Sequence, residues 1–115
     1  MTGKQIAENL RKNAEKWVRY RYLTPEGGMC VIGLKLREFG VSDEKLMEWG
    51  MRGISSVIFG ADSPPLSTEE TLSLTALQEA NDNSLDIVSV INYAEANAEV
   101  DFPLEKLAEA LKAQS

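Results

Sequence analysis

Met29-Cys30-Val31-Ile32-Gly33-Leu34-Lys35-Leu36-Arg37-Glu38-Phe39 is the stretch on which the fold class turns. Its apolar residues cover most of a helical circumference, Lys35 and Glu38 form a polar edge, and Gly40 supplies a left-handed stop. We read a buried helix. A strand is the rival, because Val31-Ile32 is β-prone and a short apolar run has no decisive period.

Upstream, Ile6, Leu10, Ala14 and Trp17 recur at three- or four-residue spacing and predict a first helix over residues 4–22. It should stop near Leu23, since Thr24 precedes Pro25 and Gly27-Gly28 follows. Downstream, Ser42 or Asp43 can cap a third helix. Leu46, Met47, Gly50, Met51, Ile54, Val57 and Ile58 share one side of it, with Trp49 and Phe59 off that side. The loop Gly60-Ala61-Asp62-Ser63-Pro64-Pro65 ends it.

Ser67-Thr68-Glu69-Glu70 is a capping box opening a fourth helix, expected to run to about Ala80 before Asn81-Asp82-Asn83-Ser84 interrupts it. Residues 85–99 are amphipathic through Ile87, Val90, Ile91, Ala94 and Ala98. Asp101 is placed to cap a last helix with Pro103 in its first turn and Leu104, Leu107, Ala108 and Leu111 as its apolar stripe. There is no internal repeat. The expectation is all-α: a single compact domain over residues 1–115, with five to six helices around one core.

Composition agrees and excludes much chemistry. Hydrophobic residues make up 43% and charged residues 26% of the 115, far from the signature of disorder. With no histidine and one cysteine, Ser-His-Asp and Cys-His hydrolases, histidine zinc sites and four-cysteine metal sites are all excluded. No cofactor is expected. The amino terminus lacks the apolar run of a secretory signal. The longest apolar stretch, Met29 to Leu34, is far short of the roughly 20 residues that cross a bilayer. A cytoplasmic protein without a membrane segment is expected.

The net charge of -6 is divided unevenly. Residues 1–52 carry ten Lys/Arg against seven Asp/Glu, whereas residues 53–115 carry two against eleven. Glu69, Glu70, Glu79, Asp86, Glu95 and Glu99 are the candidate binding residues of an acidic half; the plainer reading makes them wet helix faces. In the basic half, Lys12, Lys16 and Arg19 would align on one face of the first helix, interleaved with aromatics. The acidic remainder argues against direct nucleic-acid binding, leaving a solvated face or a patch for acidic groups. With Trp49 and Phe59 these form a secondary candidate surface.

Cys30 would sit in the first turn of the second helix, where amide N-H groups lower a thiol's pKa, although no histidine can serve as its base. The competing reading is a small buried hydrophobe. Asp82-Asn83-Ser84-Leu85-Asp86 starts like a calcium loop but has Ile87 where glycine and Tyr93 where glutamate should stand, so no metal is expected. Gly28 to Lys35 misses the phosphate-loop spacing, and Ser42-Asp43-Glu44-Lys45 reads as a cap.

Trp17, then Gly28-Met29-Cys30-Val31-Ile32-Gly33-Leu34, then Asn81-Asp82 before an amphipathic helix, resemble a group of small uncharacterised phage and bacterial proteins. That group has a tryptophan, a G-x-C-x-x-G-A-L helix start and a later W-N-D. This chain departs from it at Leu34, Lys35 and Ala80. The resemblance implies that Cys30, Gly33, Asn81 and Asp82 mark where two helices approach and a polar pair caps one of them. It implies no reaction, and it suggests a phage or mobile-element setting.

The functional expectation is a non-enzymatic protein-protein interaction module with its acidic half as the contact surface. In its sharpest form it inhibits a nucleic-acid-binding host protein. The alternatives are a cysteine enzyme or redox-sensitive protein using Cys30 beside Asn81 and Asp82, and a homodimer pairing the basic and acidic halves.

Overall fold

Within the apolar run at 29–39, residues 31–38 fold as a helix, while Met29 ahead of it is extended and bridged to Trp17. A computed structural model describes residues 1–19, 22–49 and 66–113, and among these the fold is all-α. Its helices are α1 (Gly3–Lys12), α2 (Val31–Glu38), α3 (Asp43–Trp49), α4 (Thr68–Asn83), α5 (Ile87–Ala96) and α6 (Leu104–Ala113), with a single 3-10 turn at Ala14–Lys16. The expected third helix beyond Trp49, the 60–65 loop, Phe59 and the side chain of Trp49 lie outside the described residues.

Helix α2 is the hub, packing against α3, α4 and α6. Val31 to Leu36 are all buried, which explains why the run lacks a wet face. Lys35, expected on a polar edge, is buried too: its Nζ reaches Glu38 Oε2 at 2.7 Å and lies 5.3 Å from the centre of the Phe39 ring. The aliphatic stem fills core space while the charge finds a carboxylate. Gly40, at φ 97°, ends the segment in the left-handed region, as the sequence predicts.

Helix α1 lies against α5, burying Ile6, Ala7 and Leu10. It begins with a capping box: Gln5 N-H donates to the Thr2 hydroxyl, and Gln5 Oε1 accepts from Thr2 N-H. It ends at Lys12, not Tyr22. Asn13 Nδ2 donates to the Asn9 carbonyl at 2.9 Å and stops the ladder. The chain then turns extended. Val18 N-H donates to Met29 O at 3.0 Å and Met29 N-H to Lys16 O at 2.7 Å, a parallel bridge at Trp17. Tertiary pairing overrides helical periodicity where β-prone Trp17 and Val18 occur.

Other boundaries shift too: the helix expected over residues 85–99 spans only Ile87–Ala96, between Asp86 as N-cap and Asn97 as C-cap. Helix α4 continues through Asn83, three residues beyond the expected stop, because the Asn81 amide is satisfied by distant partners rather than by a local turn. Asp101 does not cap α6. Its carboxylate takes the Met1 amino group at 2.7 Å, beside an antiparallel bridge to Thr2, while Leu107 N-H bonds the Pro103 carbonyl at 3.0 Å. Leu104, Leu107, Ala108 and Leu111 are all buried, as the stripe predicts. Each buried leucine stabilises by roughly 1.5–3 kcal/mol. No helix among the described residues is long and apolar enough to cross a membrane.

Candidate functional site

The last turns of α4 meet the start of α2 and the extended segment after α1 in a buried polar knot. Asn81 is fully buried. Its Oδ1 accepts from Trp17 Nε1 at 2.8 Å and from Val31 N-H at 2.9 Å, so it caps α2 from another helix. Its Nδ2 faces Val18 O at 3.4 Å and Asp82 Oδ1 at 3.3 Å. One turn earlier, Gln78 Nε2 donates to the Tyr22 hydroxyl at 3.0 Å.

Cys30 holds the N-cap position of α2, not its first turn, with an extended backbone and Sγ accepting from Gly33 N-H at 3.4 Å. Burial overwhelms that hydrogen bond and pushes the thiol up to about 12. Burial raises the Tyr22 phenol as well, against the opposing Gln78 bond. The burial of Cys30, at 2% exposure, fits its reading as a small buried hydrophobe and works against the alternative of an activated thiolate. Gly33 is required by close approach: a Cβ there would run into the Tyr22 carbonyl. Among the described residues no buried polar side-chain atom lacks a partner, and no three potential metal ligands gather.

Trp17, Cys30, Gly33 and Asn81 thus converge in space. No family model, curated protein or solved structure matches the chain. The knot's chemistry has to be read from its own geometry, and that geometry is a satisfied junction of three segments. Sequence reasoning missed Gln78 and Tyr22. The available signal was Leu74, Leu77, Gln78 and Asn81 in helical register, two amides on an otherwise apolar face.

The acidic candidates divide into engaged and free groups. Glu70 completes the Ser67 capping box and pairs with Lys106 at 2.9 Å, and these two contacts hold its carboxyl below the ordinary range. Glu95 pairs with Arg11, and Asp86 caps α5 by accepting from Ser89 N-H at 3.0 Å. Glu69 and Glu79 on α4 and Glu99 after α5 are exposed and form no ion pair among the described residues.

The basic candidates do not share a helix face. Lys12 ends α1, Lys16 belongs to the 3-10 turn, and Arg19 lies in the extended segment with its guanidinium on the Ser84 carbonyl at 3.3 Å. The structure instead turns Lys12 and Lys16 toward one open cleft against α2.

Proposed function

We propose that the chain is a cytoplasmic, non-enzymatic helical interaction module that presents the carboxylates of its second half to a basic protein partner. The observation that supports this reading most is charge. Residues 66–113 carry ten Asp/Glu and two Lys, and Glu69, Glu79 and Glu99 stand exposed without compensating cations among the described residues. Uncompensated carboxylates on rigid helices steer a cationic surface over a Debye length of about 8 Å at physiological salt. The depth of Cys30 favours this reading over a thiol enzyme.

In its sharpest form the partner is a nucleic-acid-binding protein whose basic groove the carboxylates occupy, and the chain is its inhibitor in a phage or mobile-element setting. The test is capture from a bacterial lysate on immobilised chain, eluted with rising salt, beside a Glu69→Lys, Glu79→Lys, Glu99→Lys variant. A nucleic-acid-binding protein that elutes with salt, and that the variant holds at least about tenfold less well, supports the proposal. Equal capture by the variant overturns it.

A further inference from the structure

Where α1 ends and the 3-10 turn begins, the chain stands off from α2 and leaves an open cleft of about 480 Å³, within the range of roughly 300–1,000 Å³ typical of small-molecule sites. Met29 and Leu34, 2% and 7% exposed, form its apolar floor, and Asn9 and Asn13 supply side-chain amides. Lys12 and Lys16 also line it, both exposed.

What sets the cleft apart is that two unpaired lysines line it together. Arg11, Lys35, Arg37, Lys106 and Lys112 are each held by a carboxylate. The ammonium groups of Lys12 and Lys16, like those of Lys4 and Lys45 outside the cleft, form neither an ion pair nor a hydrogen bond among the described residues. Glu38 also reaches the cleft, but its Oε2 is already engaged by Lys35 Nζ at 2.7 Å and Asn9 Nδ2 at 3.4 Å. Arg37 is likewise committed, in a two-pronged contact with Asp43 at 2.9 and 3.2 Å. The cleft thus gathers two ammonium groups that no carboxylate contacts among the described residues.

We propose that this cleft binds a small organic phosphate monoester, with the dianion between Lys12 and Lys16 and its apolar group against Met29 and Leu34. Two mobile ammonium groups match a dianion better than a single carboxylate. The apolar lining adds affinity only for a ligand that carries more than the anion. The site shares no residue with the acidic surface proposed above and stands or falls separately from it.

The experiment is a titration of the isotope-labelled full chain at low ionic strength, read by amide chemical shifts, with phenyl phosphate, inorganic phosphate and benzoate as probes. Phenyl phosphate should give saturable shifts at Asn9, Asn13, Lys16 and Met29, and should bind more tightly than the other two. A Lys12→Gln, Lys16→Gln variant should bind it at least about tenfold more weakly. A Lys4→Gln, Lys45→Gln variant, which loses an exposed and a half-buried lysine elsewhere, should bind as the parent does. Both pairs are surface residues, so helical circular dichroism should be the same in all three proteins. The proposal is overturned if no saturable shift appears, if the Lys12/Lys16 variant binds unchanged, or if inorganic phosphate or benzoate binds as tightly as phenyl phosphate.

Discussion

The Trp17 indole N-H donates to Asn81 Oδ1 at 2.8 Å, joining positions 64 apart in sequence. The same oxygen takes Val31 N-H at 2.9 Å, so one side chain fixes the extended segment and the start of α2 together. Asn81→Ala strands two donors, at about 1–3 kcal/mol each. We expect a stability loss of about 2–6 kcal/mol in urea unfolding followed by circular dichroism. Trp17→Phe strands no buried donor and should cost less. If Asn81→Ala unfolds at the parent's urea concentration, the knot does not hold the fold.

Gly33 sits where the Tyr22 main chain crosses α2. On an isolated helix, glycine to alanine stabilises by about 1 kcal/mol. Here the new methyl meets a backbone carbonyl that cannot step aside as a side chain would, so the sign should reverse. Gly33→Ala is expected to lose about 1–3 kcal/mol. A higher melting temperature in the variant would show that the two segments do not approach so closely.

These two contacts also mark the limit of what the sequence discloses. Locally encoded features were legible: the Ser67 to Glu70 capping box, the Gly40 stop and the buried stripe from Leu104 to Leu111 all depend on neighbours within a few residues. The end of α1 was not. Ile6 and Leu10 are buried as the spacing predicts, yet Ala14 is exposed and Trp17 is drawn off to Met29, a partner no periodicity points to. Asn81 has the composition of a turn residue but remains helical, because its amide is satisfied by Trp17 and Val31. The pairing of Lys12 with Lys16 was expected from helical register, but the cleft they share was not, since it arises where α1 breaks.

Glu70 links the start of α4 to α6 through Lys106, and that hydrogen bond, ahead of the Ser67 amide, lowers its carboxyl from the ordinary 4.5. A depressed folded-state value means the stabilisation is present above pH 4.5 and fades as pH falls through the folded value. Glu70→Gln keeps an oxygen for Ser67 N-H and loses the charge on Lys106. In melts from neutral pH to about pH 3, the variant's deficit should be largest at neutral pH and close on acidification. A deficit that does not change with pH would assign the effect to capping alone.

Cys30 gives the opposite dependence. Burial raises its thiol from the ordinary 9.0 to about 12, so the folded state holds the proton more tightly than the unfolded chain. Its contribution is intact below about pH 9 and is lost as pH rises toward 12. Tyr22 is raised by burial as well and adds alkaline sensitivity of the same sign, so the two must be separated by substitution. Cys30→Ser retains an acceptor for Gly33 N-H and removes the thiol titration. Its stability should fall less steeply through that alkaline interval, by the equivalent of one proton. Thiol labelling of the parent at neutral pH should proceed only as fast as the protein opens, and become rapid in denaturant. Fast labelling of the folded protein, or equal alkaline slopes, would place the thiol at the surface and reopen a chemical role for Cys30.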